Sequence, residues 1–282
     1  MTGKSEKPSP VSGGLKAQKG FYHQNSYTLL KLLERLESQE LESAAAEQTF
    51  QIENGILEVD LVITRKNGVK EYHEVKSGAS FPTSLTKIYK SLNVLFRIFV
   101  SENAGGKFFL VINPEPSEPL YKIASQLLKF QKKDQATSDV HSFCSNLGTE
   151  DHPGFLAFCK SLEIDSVGFS TMRLLALEKI YRLRQSLIMN SDHGLKNEGL
   201  YDILFNRVLS AIAENRGAIE INDFCGDIVD WVARNQIAAN NPPPNAKVLL
   251  ETETNKARSQ LSQKFGLSLT DPKLIARAGD IP

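Results

Sequence analysis

The feature that most restricts this chain is an acid placed inside an otherwise apolar alternation. Residues 56–63 read ILEVDLVI, a period of two that puts Leu57, Val59, Leu61 and Ile63 on one face of a strand and Glu58 and Asp60 on the other. Asn67-Gly68 follows, a dipeptide that readily takes positive φ and closes a tight turn. Residues 69–76, VKEYHEVK, then predict a second strand, with Tyr72, Glu74 and Lys76 on one face and His73 on the other. A hairpin of this kind needs a helix or a further sheet to cover its apolar side.

The flanking segments supply that cover. Tyr27, Leu29, Leu30, Leu32, Leu33 and Leu36 recur at helical spacing, and Gly20 stands just ahead of them. Thr49–Ile52 gives a short strand signal. Leu85, Ile88, Tyr89, Leu92, Leu95, Phe96 and Phe99 mark a second helix, and Lys107–Ile112 a strongly apolar strand. The order of helix, hairpin, helix and strand predicts a small α/β core on one central sheet. Beyond about residue 118 strand signals nearly vanish, and helices are expected over 120–130, 154–162, 170–188, 198–215 and 222–235. The Asn-Asn-Pro-Pro-Pro run at 240–244 is a stiff break. Four regions result: a flexible lead-in over 1–14, the α/β domain over 15–118, a helical interaction or oligomerisation domain over 119–240, and a tail over 241–282.

Composition narrows the setting. Lys plus Arg and Asp plus Glu both number 33, so no uniform basic coat exists and any nucleic-acid surface must be local. Three widely spaced cysteines without a CxxC pair argue against a disulfide scaffold and a zinc knuckle, and suit a reducing cytoplasm. No apolar run reaches the roughly 18 residues of a membrane helix, and no signal-peptide core is present, so a cytoplasmic chain without a membrane partner is expected.

The chemistry sits in Asp60 and Glu74-Val75-Lys76. Two carboxylates on neighbouring strands offer hard oxygen donors to a cation such as Mg²⁺ or Mn²⁺. A lysine beside them can orient water or offset charge building on a phosphate. A metal polarising a phosphoryl oxygen and activating that water would hydrolyse a phosphodiester. The bland alternative is a solvated hairpin face; it is the expected reading for Lys70 and Glu71, and less comfortable for Asp60. His23 and His73 are expected to be ordinary packed or surface histidines, and Cys144 and Cys159 buried small hydrophobes. Between Asp60 and Arg97 basic residues outnumber acids. Lys87 and Lys90 share a helix face suited to a phosphate backbone, and Lys19 extends that rim. Phe155, Leu156, Phe158, Leu162, Phe224, Ile228, Val229, Trp231 and Val232 are expected core or interface positions.

Asp60 with Glu74-x-Lys76, in a helix–hairpin–helix–strand setting, resembles the PD-(D/E)XK nuclease superfamily. Together with Gly13-Gly14, Gly20-Phe21-Tyr22-His23-Gln24, Glu58-Val59-Asp60 and Glu74-Val75-Lys76, the stretch over about 12–115 is similar to the N-terminal endonuclease domain of CBASS effectors that carry a SAVED domain, and to the Lamassu nuclease subunit. The resemblance implies a restriction-endonuclease-like core (helix, mixed central sheet, helix) followed by a mainly α-helical region. It implies Asp60, Glu74 and Val75 as the metal set, Lys76 as the catalytic lysine, Gln24 as a support for metal or water, and Glu58 as an acid behind them. Ser77 stands where that family often has His. The function implied is a Mg²⁺- or Mn²⁺-dependent endonuclease on double-stranded DNA with low sequence specificity. It would act in bacterial anti-phage defence, restrained by a separately encoded sensor or ATPase subunit or by homo-oligomerisation. No Walker A loop and no SAVED pattern is visible. The rival expectations are a non-cutting binding subunit on the same fold, and a restriction or repair nuclease outside defence.

Overall fold

The computed structural model describes residues 10–52, 55–76, 85–102, 105–112, 118–132, 137–187, 197–214 and 217–239, together with part of 252–263. Its elements are α1 (Pro10–Glu37), β1 (Leu41–Ile52), β2 (Gly55–Arg65), β3 (Lys70–Lys76), α2 (Leu85–Ser101), β4 (Lys107–Ile112), α3 (Glu118–Gln131), α4 (Thr137–Leu147), α5 (His152–Ser161), β5 (Leu162–Ser166), α6 (Phe169–Leu187), α7 (Asn197–Glu214), β6 (Ala218–Ile219) and α8 (Ile221–Ala239). The strands form one mixed sheet in the order β5-β4-β3-β2-β1-β6. β3, β4 and β5 pair in parallel, with Lys76 opposite Ile112 and Ile112 opposite Ser166. The fold class is therefore α/β.

Local chemistry explains the hairpin. Gly68 takes φ +80° and its N–H reaches the Arg65 carbonyl at 2.8 Å, a conformation that a side chain would strain. Leu57, Val59, Leu61 and Ile63 are buried while Glu58 is exposed, as the alternation requires. At the start of β4, Gly106 takes φ +134°, and a Cβ there would meet the Tyr72 ring at 3.0 Å and the Lys70 carbonyl at 3.1 Å. That close approach lets β4 lie against β3.

Several elements depart from expectation. α1 begins at Pro10, so the flexible lead-in does not extend to residue 14; proline fits a helix's first turn, where its missing N–H costs no bond. β1 spans twelve residues where only Thr49–Ile52 is legible, because Leu41–Gln48 is rich in alanine and glutamate, poor strand formers. Pairing overrides that propensity: Ala44 and Ala45 lie opposite Ile219 and Ala218. β5 falls beyond the last expected strand, so the sheet continues past residue 118. α4 is unexpected, although Val140, Phe143, Cys144 and Leu147 keep helical spacing and are buried; its serines, Asn146 and Asp139 hide the signal. Residues 1–9 and the proline run at 240–244 lie outside the described residues.

Two compact units emerge. The first comprises the described residues within 1–27, 49–60 and 70–169. Its core is a cluster of phenylalanines: Phe158 lies 5.6 Å from Phe96, Phe99 and Phe108, and Phe155 lies 5.8 Å from Phe130 and 5.3 Å from Phe143. The edge-to-face pairs among them add about 0.5–1.5 kcal/mol each beyond area burial. Leu162 is buried with them, and so are Cys144 and Cys159. The second unit comprises the described residues within 28–48, 61–69 and 170–282. There Leu29, Leu33, Ile180, Leu204, Phe224, Ile228 and Val232 form the interior, and Arg207 grips Asp227 through two hydrogen bonds of 2.7 and 2.9 Å.

Candidate active site

β2 and β3 bring Asp60, Glu74 and Lys76 together. Asp60 Oδ2 accepts a 2.5 Å hydrogen bond from the Val75 N–H, which fixes the carboxylate against the neighbouring strand. Lys76 Nζ lies 2.5 Å from Glu74 Oε1 and 3.6 Å from Asp60 Oδ2, bridging the two acids. The side chains are 21%, 8% and 31% exposed for Asp60, Glu74 and Lys76, so water reaches the lysine end while Glu74 is enclosed.

The electrostatics follow from that enclosure. Burial raises the Asp60 pKa, opposed by Lys76 and by the Val75 N–H. Burial, then the Asp60 charge, pushes Glu74 up to about 7 against the pull of Lys76 and the Ser91 hydroxyl. Burial lowers the pKa of Lys76, but the two carboxylates outweigh it and the ammonium is held charged. A buried carboxylate whose pKa is raised further by the neighbouring Asp60 charge lacks positive charge, and one lysine does not supply enough.

A divalent cation fits this deficit. The donors are carboxylate oxygens, the type that Mg²⁺ and Mn²⁺ prefer. Glu74 Oε2 is buried and has no hydrogen-bond partner among the described residues. Asp60 and Glu74 would hold the ion, with Val75 able to add only its backbone carbonyl. Among the described residues no group of three His, Cys, Asp or Glu side chains comes together around a metal. The remaining positions would thus be filled by water, as Mg²⁺ usually requires.

The other expected residues are distributed as follows. Gln24 lies on α1, half-buried, and its Nε2 is buried without a hydrogen-bond partner among the described residues. Glu58 is exposed on β2. Lys90 is exposed on α2, whereas the side chains of Lys19 and Lys87 lie outside the described residues. His23 is buried beside the Val167 backbone, and burial lowers its pKa.

The opposite face of β3 corrects one expectation. Glu71 is fully buried, not solvated. Its Oε2 lies 3.7 Å from His73 Nε2, His73 Nδ1 lies 3.0 Å from the Tyr27 hydroxyl, and the His73 ring stacks on Phe109 at 4.4 Å. The hairpin's outer-face logic fails here because β3 also pairs in parallel with β4, and strands in parallel pairing are covered on both faces, as the buried run from Glu71 to Val75 shows. Sequence reasoning also missed Ser91, a hydroxyl inside the apolar stripe of α2; a polar residue between Ile88 and Leu92 is the only hint of it.

No family model and no curated protein matches the chain. Among solved structures, the Cap4 SAVED/CARF-domain containing receptor of Acinetobacter baumannii, bound to the cyclic trinucleotide 2'3'3'-cAAA, aligns at 13% identity with a TM-score of 0.50, over 78% of this chain and 46% of that one. The corresponding Moraxella osloensis receptor aligns at 17% identity and TM-score 0.48, over 87% of this chain and 61% of that one. The chain thus spans about half to three-fifths of these receptors. The likeness to the Acinetobacter receptor is one of fold.

Proposed function

We propose that this chain is a divalent-metal-dependent endonuclease that cuts double-stranded DNA with little sequence preference, built on a restriction-endonuclease-like core. The observation that carries the reading is the convergence of one ammonium on two carboxylates from adjacent strands, with a buried carboxylate oxygen left unpaired. When bound, the metal would polarise the phosphoryl oxygen and lower the pKa of its water. Asp60, pinned by the Val75 N–H, would give that ion a fixed first ligand. Glu74 must lose its proton before it can serve as the second. Lys76, charged and at the open edge, offsets negative charge on the phosphate and orients the incoming water. Gln24 adds a buried amide that supports the metal or its water, and Glu58 an acid behind the pair. Lys19, Lys87 and Lys90 would meet the DNA backbone without reading bases.

The setting we propose is bacterial anti-phage defence, with cleavage restrained by a separately encoded sensor or ATPase subunit or by self-assembly. The Acinetobacter Cap4 receptor of similar fold is a SAVED/CARF-domain protein bound to a cyclic trinucleotide, which supports this setting over restriction or repair. In a plasmid assay, cleavage is expected with Mg²⁺ or Mn²⁺, none in EDTA, and none with Lys76→Ala. Metal-independent cutting, or wild-type activity in purified Lys76→Ala protein, refutes the reading. Full inactivity under every condition with all three residues intact favours the non-cutting binding subunit.

A further inference from the structure

We propose a second, chemically distinct metal site in the first unit: a two-histidine clamp for a borderline-soft transition metal, formed by His141 of α4 and His152 at the start of α5. His141 Nδ1 and His152 Nε2 face one another 3.2 Å apart, with ring centroids 5.1 Å apart and planes at 82°. Two imidazoles on one Zn²⁺ at about 2.0–2.1 Å place their nitrogens about 3.3 Å apart at the tetrahedral angle and about 2.9 Å apart at a right angle. The observed separation lies between those limits, so the spacing of the two nitrogens suits a single ion with both helices where they are.

The contact also serves as an N–H···N hydrogen bond between neutral rings. Metal entry converts it by tautomer exchange together with a turn of the two rings about their side-chain bonds, which aims both inner lone pairs at a point off the N···N line. The shared proton leaves the bridging nitrogen and a proton occupies each outward-facing one, His141 Nε2 and His152 Nδ1. Both inner lone pairs are then free for the metal, and no net proton is lost when the rings start neutral. The pair is solvent-accessible, which gives the ion an entry path. Asp151, next to His152, is committed to capping α5 through the Gly154 N–H at 2.9 Å, which holds the chain at this point in place. Imidazole donors select Zn²⁺, Ni²⁺ or Cu²⁺, whereas Mg²⁺ belongs at carboxylates. With two protein ligands, the other coordination positions are open to water.

The test uses untagged full-length protein carrying Glu74→Gln, which weakens binding at the carboxylate site and so separates the two. Titration calorimetry with Ni²⁺ and with Zn²⁺ is expected to show one equivalent bound. Adding His141→Ala or His152→Ala is expected to weaken it at least tenfold each, with unchanged melting in metal-free buffer. Cu²⁺ bound to the Glu74→Gln protein should show electron-spin coupling to two nitrogens. Retained affinity in both alanine variants, no binding in the parent, or a Cu²⁺ signal without nitrogen coupling overturns the clamp.

Discussion

Glu74→Gln should stabilise the metal-free protein, and by an amount that depends on pH. In the folded chain burial and the Asp60 charge hold the Glu74 pKa near 7, against an ordinary value of 4.5. Between those values the folded protein keeps a proton that the unfolded chain has released. Stability therefore falls as pH rises through that window, and the whole penalty is present above it. At about 1.36 kcal/mol per unit, the displacement corresponds to on the order of 3 kcal/mol at pH 8 and to almost nothing at pH 4.5. Glutamine removes the ionisation and with it the penalty. The measurement is hydrogen exchange of the β3 and β4 amides in EDTA at pH 5 and pH 8, with intrinsic exchange corrected at each pH. The only tryptophan, Trp231, belongs to the other unit and is a poor reporter here. Variant and wild type should nearly coincide at pH 5, and the variant should be more protected at pH 8. Equal protection at both pH values, or a variant less protected at pH 8, would refute the argument that this carboxylate is held against its own charge. Mn²⁺ should reverse the ranking at pH 8, since it stabilises only the chain whose second ligand ionises.

Two further outcomes follow from the same contacts. Lys76→Met should abolish cleavage yet tighten Mn²⁺ binding, because the ammonium competes with the ion for both carboxylates. About tenfold, or roughly 1.4 kcal/mol, is expected, below the ~4 kcal/mol of unit charges 4 Å apart at an effective dielectric near 20, since the lysine swings toward water; calorimetry showing equal or weaker binding contradicts it. Phe158→Ala should cost about 3–5 kcal/mol in denaturant unfolding, as it empties the centre of the aromatic cluster, and a loss under about 1 kcal/mol would mean that the cluster is not the core of its unit.

The hairpin and its charged cluster were legible because strand alternation and an Asn-Gly turn are local signals, and because Asp60 interrupts an apolar run. The helices α2, α6, α7 and α8 declared themselves through apolar spacing. What escaped depends on partners distant in sequence. Leu41–Gln48 becomes a strand only through its neighbours, as the pairing of Ala44 with Ile219 shows. Leu162–Ser166 becomes one because β4 offers a free parallel edge. Glu71 shows the same limit at a single residue: its alternation with Tyr72 was readable, but not that both faces of β3 are covered. The convergence of Asp60, Glu74 and Lys76 follows from pairing two adjacent strands, whereas the approach of Ser91 requires knowing how α2 lies on β3.

The buried row Glu71–His73–Tyr27 has a bearing on the reactive face behind it. A strand that slips by one position turns every side chain over. Here such a slip would thrust Glu74 against the Phe109 ring and strip the Tyr27 hydroxyl of its imidazole, an outcome costly on the far side of the sheet before any metal is involved. The alignment of Glu74 and Lys76 with Asp60 is thus guarded from behind. Damage to Tyr27, a residue that touches none of the three, would loosen the reactive cluster as surely as damage within it.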